Sequence, residues 1–310
     1  MKSFYRRFGN SRMMSGKQFF VDRYRKLGWD FSQVKPRQAI RVNLTNTKGK
    51  PILERLRSDG VLLEKVPFLE RGYWVRGGRI SVGATAEYLL GLYSIQEAAA
   101  QIPATLFTNL KGKLVLDGCA APGGKTIQLA DLMENTGVIV ALDVDKRRLT
   151  VLANHLERCH VSSTVVYYLD VKQASRLRLK FDRILLDVPC SGNFVTDSNW
   201  FARRTLKDVE RNATLQREIL SEAVKILKDD GEIVYSTCSL EPEEDELNMD
   251  WAVKNLNLQI EEIDAYGQEG LVRIFGVQLD SSVEHSRRIW PSETQGFFVC
   301  RLVKRSMFDR

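Results

Sequence analysis

The chain has 310 residues with a formal net charge of +7, and 44% of its residues are hydrophobic. This length and composition are typical of a globular protein with one large and one smaller domain. No apolar run approaches the roughly 18–20 residues of a membrane helix, so we expect no membrane partner. Five cysteines without a Cys-x-x-Cys pair and three scattered histidines argue against a disulfide framework and against a metal site. We expect a metal-free cytoplasmic protein, and a monomer.

The positive charge is concentrated near the N-terminus. Residues 1–50 contain 13 Lys or Arg but only two acids, Asp22 and Asp30. Aromatic residues are interleaved with these cations: Phe4, Tyr5, Phe8, Phe19, Phe20, Tyr24, Trp29 and Phe31. Cations suit phosphate contact and aromatic rings suit base stacking, so this segment favours RNA binding. A solvated basic arm is an alternative, and a transit peptide over the acid-free residues 1–21 ranks lower, because 19–29 is typical of an apolar-anchored helix.

The next elements indicate a small α+β module. Alternating apolar and polar residues predict its strands, and helical spacing predicts its helices. The predicted elements are, in chain order, a strand at 39–44, a helix at 51–58, strands at 61–66 and 73–75, and a helix at 84–93. The β-α-β-β order is similar to that of RNA-recognition folds. We therefore assign residues 1–95 to the basic arm and a small RNA-binding module, and residues 96–310 to a second domain.

From residue 113 onward, short apolar strands alternate with longer amphipathic helices. Predicted strands span 114–117, 138–143, 164–170, 183–187 and 232–236, and predicted helices span 126–133, 146–159 and 205–227. Such alternation is typical of a parallel sheet covered on both faces, so we predict a doubly wound α/β domain. Four of the strands end in an acid, at Asp117, Asp143, Asp170 and Asp187. Because ligands of doubly wound sheets bind at this edge, the four acids predict a site.

The loop after the first of these strands, Asp117-Gly-Cys-Ala-Ala-Pro-Gly-Gly-Lys-Thr126, narrows the choice of ligand. A phosphate-binding P-loop would need glycine at position 119, which is Cys119, and the dinucleotide pattern G-x-G-x-x-G is also missing. A tight Gly-Gly turn at a helix N-terminus suits a carboxylate such as that of S-adenosylmethionine. Asp143 could then accept hydrogen bonds from the ribose hydroxyls, and Asp170 from the adenine amino group. Taken singly, each acid could equally be a helix N-cap.

Two cysteines follow the last two of these strands. Cys190 lies in the segment Val-Pro-Cys-Ser-Gly and Cys238 in Ser-Thr-Cys-Ser, so both are candidate nucleophiles beside the ligand cleft. Cytosine C5 can attack a methyl donor once a thiolate has added to C6 and an acid has protonated or hydrogen-bonded N3. We predict Lys125 as the cation that helps a thiol to ionise and Asp187 as the acid at N3. Spacing alone leaves either thiol free to attack. Inert core positions are expected for Cys119, Cys159 and Cys300.

Several segments together match the pattern of one known family. They are Cys119-Ala-Ala-Pro-Gly-Gly-Lys125, Asp143 with Arg148, Asp170, Asp187-Val-Pro-Cys-Ser-Gly192, Tyr235-Ser-Thr-Cys-Ser-Leu-Glu-Pro-Glu-Glu244 and 291–298, with 41–43 and 91–96 upstream. Over nearly its full length the chain resembles the Nop/Sun-type RNA cytosine-5 methyltransferases of the RsmB/Nop family. The resemblance implies a Rossmann-like class I methyltransferase fold with S-adenosylmethionine as cofactor.

The resemblance also implies roles for individual residues. The implied cofactor contacts are Cys119, Ala120, Ala121, Pro122, Gly123, Gly124, Lys125, Asp143, Arg148, Asp170 and Asp187. Cys238 would be the nucleophile, and Cys190 would assist product release. Three departures bear on target preference: Gly118 stands where a larger residue is common, Val188 where alanine is typical, and 193–200 is less basic than the loop we would expect.

The sequence therefore predicts an RNA cytosine-5 methyltransferase. We favour tRNA as the substrate, because the compact chain leaves no room for another large RNA-binding domain, and we place ribosomal RNA second. A DNA cytosine-5 methyltransferase is disfavoured, since no Glu-Asn-Val motif follows the Pro-Cys segment and no separate target-recognition domain is present. A non-catalytic RNA-binding assembly factor is the remaining alternative. The intact set of Cys190, Cys238, Asp187 and Lys125 argues against it.

Overall fold

The computed structural model describes residues 15–44 and 50–305, so the first part of the predicted basic segment, including Phe4, Tyr5 and Phe8, lies outside the described residues. The helices are α1 (Lys17–Lys26), α2 (Lys50–Ser58), α3 (Ala86–Leu89), α4 (Ile102–Thr105), α5 (Gly124–Leu132), α6 (Lys146–Arg158), α7 (Trp200–Arg203), α8 (Leu206–Ile226) and α9 (Glu246–Asn255). The strands are β1 (Ala39–Val42), β2 (Val61–Lys65), β3 (Gly72–Gly78), β4 (Tyr93–Ile95), β5 (Leu114–Asp117), β6 (Val138–Asp143), β7 (Thr164–Tyr168), β8 (Phe181–Asp187), β9 (Leu227–Thr237), β10 (Leu258–Glu261), β11 (Gln268–Glu269), β12 (Arg273–Ile274), β13 (Val277–Gln278), β14 (Arg287–Ile289) and β15 (Phe297–Lys304). Within this part of the chain, no helix has both the length and the apolar character needed to cross a bilayer.

The N-terminal module is a four-stranded antiparallel sheet with one helix packed on it. The strand order is β2-β3-β1-β4. Ile52 and Leu56 of α2 lie four residues apart, so they share one face of the helix, and both are buried in a cluster with Ile40, Val61 and Tyr93. The strands and the helix predicted between residues 39 and 75 are thereby confirmed.

The helix predicted over 84–93 is wrong in extent. Helix α3 ends at Leu89, and Tyr93 already belongs to β4, a strand that the sequence did not predict. Between them Gly91 has a φ of 68°, a left-handed conformation that favours glycine and ends a helix. A Cβ at Gly91 would lie 2.1 Å from the carbonyl oxygen of Arg158. The glycine therefore also permits the module to approach the end of α6 closely.

The second sheet has nine strands. Eight lie in the order β11-β14-β15-β9-β8-β5-β6-β7, and β10 also pairs with β15. Strands β7, β6, β5, β8 and β9 are parallel to one another, as predicted. Strands β10, β11, β14 and β15 extend the sheet with antiparallel pairing that the sequence did not predict. The doubly wound, Rossmann-like fold is confirmed, with this antiparallel extension on one side.

Alternate residues of the parallel strands face opposite sides of the sheet. Leu116 and Leu186 lie in a core cluster with residues of α8 and α9. Their neighbours Val115 and Leu185 lie in a second cluster with residues of α4 and α5. Both faces are therefore buried, which explains the continuous apolar runs of these strands. Because both faces are covered, a ligand site is expected among the loops that follow the carboxyl ends of the strands.

Helix α1 packs on the second domain. Phe20 and Tyr24 are fully buried in its main core cluster, beside α7. These two rings are not available to stack on RNA bases, so the interpretation of the N-terminal aromatic residues as stacking groups is wrong for both. Instead, Phe20 and Tyr24 attach the N-terminal segment to the domain that contains the parallel sheet.

Arg23 anchors the same helix through a buried ion pair. Its Nη2 lies 3.0 Å from Glu241 Oε2 and 2.6 Å from Glu243 Oε2. Arg23→Met would leave two buried carboxylates without this cation, so we expect the free energy of unfolding to fall by about 3–5 kcal/mol in urea denaturation. The control is Arg25→Met on the exposed face of α1, which should change stability by no more than about 0.5 kcal/mol. An equal loss in both variants would contradict the anchoring role.

Candidate active site

The carboxyl ends of the parallel strands open into one pocket of about 370 Å³. Pockets for cofactor-sized ligands typically have volumes of roughly 300–1,000 Å³. The residues that line it are Gly118, Cys119, Ala121, Asp143, Val144, Arg148, Asp170, Val171, Lys172, Asp187, Val188, Pro189, Cys190, Leu215, Ile219 and Cys238. Three of the predicted strand-end acids and both candidate nucleophiles therefore meet in one place.

Five of the predicted cofactor contacts do not line this pocket, namely Ala120, Pro122, Gly123, Gly124 and Lys125. Most of them build the turn behind it. Gly123 has a φ of 107° and precedes the first turn of α5, and a Cβ there would lie 2.6 Å from Leu152 Cδ1. The glycine thus lets the loop pack tightly against α6. Direct contact of these five residues with a cofactor stays a prediction.

Asp143 is fixed at the end of β6 by its neighbours. Its Oδ2 accepts a hydrogen bond from the Ala121 backbone N–H at 3.2 Å, and its Oδ1 accepts one from the Asp145 N–H at 2.9 Å. Arg148 lies 3.5 Å from Asp143 Oδ2 and also donates to the Ala121 carbonyl oxygen. Because a carboxylate can accept about four hydrogen bonds, Asp143 keeps capacity for the two hydroxyls of a ribose. The residues present therefore fit the nucleoside part of S-adenosylmethionine.

The four strand-end acids do not all face the pocket. Asp117 is buried, its Oδ2 accepts a hydrogen bond from Thr126 Oγ1 at 2.7 Å, and burial raises its pKa to about 7. The prediction that all four acids form the site is wrong for Asp117, because its side chain is turned onto α5. Asp170 caps the following turn by accepting from the Lys172 N–H at 2.9 Å, and it also lines the pocket. Asp170 is therefore both a cap of the following turn and a residue of the pocket wall.

The two candidate nucleophiles lie side by side. Cys190 Sγ and Cys238 Sγ are 3.2 Å apart. Asn193, in the loop that follows Cys190, donates a hydrogen bond from Nδ2 to the carbonyl oxygen of Cys238 at 2.8 Å. The hydrogen bond with Cys238, burial, and the electrostatic effects of Cys238 and Glu244 raise the pKa of Cys190 well above its usual value. Cys190 therefore keeps its proton at neutral pH.

Lys125 is paired with a carboxylate. Its Nζ lies 2.7 Å from Asp187 Oδ2, and the Ser236 hydroxyl donates to Asp187 Oδ1 at 2.8 Å. The sequence predicted Lys125 as a cation beside a thiol, but this ion pair instead compensates the charge of Asp187 and orients its carboxylate. Asp187 is thus a fixed polar group on the pocket wall, which suits contact with the edge of a base.

Part of the pocket wall was not predicted. Leu215 and Ile219, four residues apart on α8, form an apolar wall that helical periodicity alone could not assign to a site. Cys119, predicted both as an inert cysteine and as a cofactor contact, lines the pocket, whereas Cys159 and Cys300 are buried elsewhere. Among the described residues, no group of three or more His, Cys, Asp or Glu side chains is arranged to hold a metal ion.

Gly118 has a packing reason to be glycine in this chain. A Cβ at that position would lie 2.9 Å from both Leu186 Cδ2 and Val171 Cγ2. Since Val171 itself lines the pocket, a larger residue at 118 would push that side chain into the ligand space. Glycine at position 118, where the family commonly has a larger residue, is therefore explained by the close packing of Leu186 and Val171.

Comparison with known proteins gives consistent matches. The family described as 16S rRNA methyltransferase RsmB/F matches residues 104–303. The 28S rRNA (cytosine-C(5))-methyltransferase of Mus musculus is 34% identical over 275 residues, covering 86% of this chain and 35% of that protein. The tRNA (cytosine(49)-C(5))-methyltransferase of Pyrococcus abyssi is 31% identical over 296 residues, covering 92% of this chain and 95% of that protein. A solved structure of a methyltransferase homologue from Pyrococcus horikoshii superposes with a TM-score of 0.83 at 32% identity, covering 98% of each chain. The chain thus spans about a third of the mouse relative's length.

The raised pKa of Asp117 has a consequence for stability. An aspartate titrates near 4 in an unfolded chain, whereas burial moves the pKa of Asp117 in the folded protein to about 7. The folded state therefore binds the extra proton in this window, and the resulting stabilisation is lost as the pH rises through it. In Asp117→Asn, which keeps an acceptor for Thr126, we expect the free energy of unfolding relative to wild type to improve steadily from pH 5 to pH 8. Urea denaturation measures it, and a pH-independent difference would contradict the raised pKa.

Proposed function

Because the chain belongs to the 16S rRNA methyltransferase RsmB/F family, we propose that it methylates C5 of cytosine in RNA. The observation that carries the proposal is the pair of sulfurs 3.2 Å apart on the wall of the pocket with Asp143, Asp170 and Asp187. The names of the mouse and archaeal relatives, both cytosine-C(5) methyltransferases, support the same chemistry. The family's cofactor is S-adenosylmethionine, which supplies an electrophilic methyl group when bound.

The reaction needs a thiol because C5 of cytosine is a weak nucleophile. A thiolate that adds to C6 converts the ring to an enamine, whose C5 can attack the methyl group. Loss of the C5 proton and expulsion of the thiolate then give 5-methylcytosine and restore the enzyme. To bring C5 and C6 to the sulfur, the target cytosine must leave its stack. Asp187, held by Lys125 and Ser236, is the residue that we assign to the N3 edge.

We assign the attack to Cys238 and product release to Cys190. The raised pKa of Cys190 supports this division, because a Cys190 that keeps its proton can serve as an S–H donor to the Cys238 sulfur and not as the nucleophile. At a sulfur separation of 3.2 Å, the same thiol is within reach to protonate the leaving thiolate. The electrostatics thus agree with the roles that the family resemblance implies.

Among RNAs we propose tRNA as the substrate. The chain matches 95% of the length of the archaeal tRNA methyltransferase but 35% of the mouse 28S rRNA enzyme. We assign RNA binding to the N-terminal module and the basic segment, since residues 1–50 contain 13 Lys or Arg and only two acids. Ribosomal RNA is the second candidate, favoured by the family description and the mouse relative. The free thiols suit the reducing cytoplasm, where we propose that the protein acts.

Substitution of each cysteine tests the division of labour. With labelled S-adenosylmethionine and total tRNA, we expect Cys238→Ala to abolish methyl transfer. Cys190→Ala should retain attack but release slowly, so a covalent protein–RNA adduct should accumulate on denaturing gels. Cys300→Ala, a buried cysteine away from the pocket, is the matched control and should behave like wild type. Methyl transfer by Cys238→Ala, or turnover by Cys190→Ala without an adduct, would refute the respective assignment.

The identity of the RNA can be tested in cells. Bisulfite sequencing of total RNA with and without the gene should reveal a tRNA cytosine whose methylation is lost with the gene. Loss confined to ribosomal RNA would reject the tRNA proposal and leave the chemistry intact. If the purified protein bound no S-adenosylmethionine in calorimetry, the non-catalytic assembly-factor alternative would be favoured. Competition between RNA and duplex DNA as substrates tests the alternative of a DNA cytosine-5 methyltransferase.

A further inference from the structure

A run of buried acids follows the second active-site cysteine. Between residues 241 and 246 there are five acids, and all five are buried. Four of them are partnered by buried arginines: Glu241 and Glu243 by Arg23, and Asp245 and Glu246 by Arg288. The fifth, Glu244, makes no ion pair within residues 15–44 and 50–305. Its partners are neutral hydrogen-bond donors, and burial of the carboxyl raises its pKa to about 7.

Glu244 is linked to both cysteine loops, and Gln216 Nε2 of α8 also lies 3.5 Å from its Oε1. Ser191 follows Cys190, and it donates to Glu244 through its backbone N–H at 2.9 Å and its hydroxyl at 2.6 Å. Ser239 follows Cys238, and its Oγ lies 3.2 Å from Ser191 Oγ, so the two hydroxyls are hydrogen-bonded to each other. The Glu244 carboxylate therefore holds Ser191 directly and Ser239 through the Ser191 hydroxyl.

The two loops need such a link, because sheet pairing does not extend to the cysteines. Strands β8 and β9 are paired as far as Asp187 and Ser236, and the Val188 N–H still donates to the Ser236 carbonyl oxygen at 3.1 Å. Beyond this point each chain turns into a loop. Glu244 itself is held by the buried Tyr235 hydroxyl, which donates to its backbone carbonyl oxygen at 2.6 Å. The carboxylate is thus a buried link between the two loops, in addition to the hydrogen bond from Asn193 to the Cys238 carbonyl oxygen.

We propose that Glu244 is a positioning residue that sets the separation and orientation of the Cys190 and Cys238 sulfurs through Ser191 and Ser239. Its participation in the methylation cycle rests on the function proposed above, whereas its effect on the two sulfurs does not. Glutamine at this position keeps the volume, but it offers one acceptor oxygen in place of two. It therefore cannot hold Ser191 and Ser239 in the same way.

The first test measures sulfur proximity without RNA or cofactor. Diamide oxidises two adjacent thiols: the sulfurs form one S–S bond, and the two electrons and two protons reduce the N=N bond to a hydrazine. With sulfurs 3.2 Å apart in wild type, the Cys190–Cys238 disulfide should form readily and be identified by peptide mass spectrometry. In Glu244→Gln we expect about tenfold slower formation, because disulfide bonding demands a specific sulfur geometry.

The charge change acts in the opposite direction, which sharpens this test. The negative charge of Glu244 is one cause of the raised pKa of Cys190. Removing it favours the Cys190 thiolate, and this alone would speed the reaction with diamide. A slower reaction in Glu244→Gln therefore reports altered position. An unchanged or faster rate would overturn the proposal.

Glu246→Gln is the matched control. Glu246 is equally buried two residues further along the same run, but its partner is Arg288 and not a serine of either cysteine loop. We expect this variant to lose thermal stability while its folded form cross-links at the wild-type rate. If it slows the reaction as much as Glu244→Gln, the effect is general loosening of the run and the positioning role is rejected.

The second test is the methyl transfer itself. Since displacement of reacting groups by about 1 Å can reduce rates by roughly 100-fold, we expect Glu244→Gln to lower kcat by about 10- to 100-fold with KM for RNA unchanged. Slower cross-linking together with an inactive wild type would refute the proposed function and leave the positioning role standing. Wild-type kcat in Glu244→Gln would refute the role in catalysis.

Should Glu244→Gln fail to fold, the two serines provide the same test. Ser191→Ala removes the hydroxyl donor to Glu244 but keeps the N–H donor, and Ser239→Ala removes the hydroxyl through which the other loop contacts Ser191. Each should slow cross-linking by a few-fold, and the double variant should approach the full effect of losing the link. Wild-type rates in both single variants and in the double variant would overturn the proposal.

Discussion

Parallel pairing of β8 with β9 is the constraint on which the site depends. In this register Asp187 lies opposite Ser236, and each strand then runs on into a loop that carries a cysteine. Because the strands are parallel, both loops emerge at the edge where β6 delivers Asp143 and β5 delivers Cys119. Burial of both faces of the sheet fixes the register, since a shift by one residue would exchange the two faces. The two cysteines and the pocket therefore lie together as a consequence of strand order.

The antiparallel part of the sheet contributes to the same site through electrostatics. The carboxylates buried in residues 241–246, which follow Cys238, would strongly destabilise the fold without cationic partners. Two buried arginines from distant parts of the chain compensate them, Arg23 from α1 and Arg288 from β14. The segment after Cys238 can thus take up its position only when the N-terminal helix and the antiparallel strands are both in place. These charges therefore couple the placement of the 241–246 segment to the folding of the outer elements.

The parallel half of the fold was predictable because each strand there is a buried apolar run with a local boundary signal. Strands β11 and β14 have two and three residues, too few to show any period, and their pairing depends on distant partners. For the site, the sequence identified the edge at which an acid lies but not the direction of its side chain. Asp117 turns away because Thr126 offers it a hydrogen bond. Leu215 and Ile219 reach the pocket through the packing of α8, which no local pattern records.

In helix α1 the aromatic residues and the exposed cations have different roles, whereas the sequence analysis assigned both to RNA binding. Phe20 and Tyr24 bury their rings in the core, and the Tyr24 hydroxyl donates to Glu241 Oε1 at 2.9 Å. The opposite face of the helix exposes Arg25. Long-range attraction of phosphate needs cations on the surface, whereas precise geometry at a reactive sulfur needs buried, fully partnered groups. Since the same helix supplies both, its exposed cationic side is joined through Arg23 to the segment that follows Cys238.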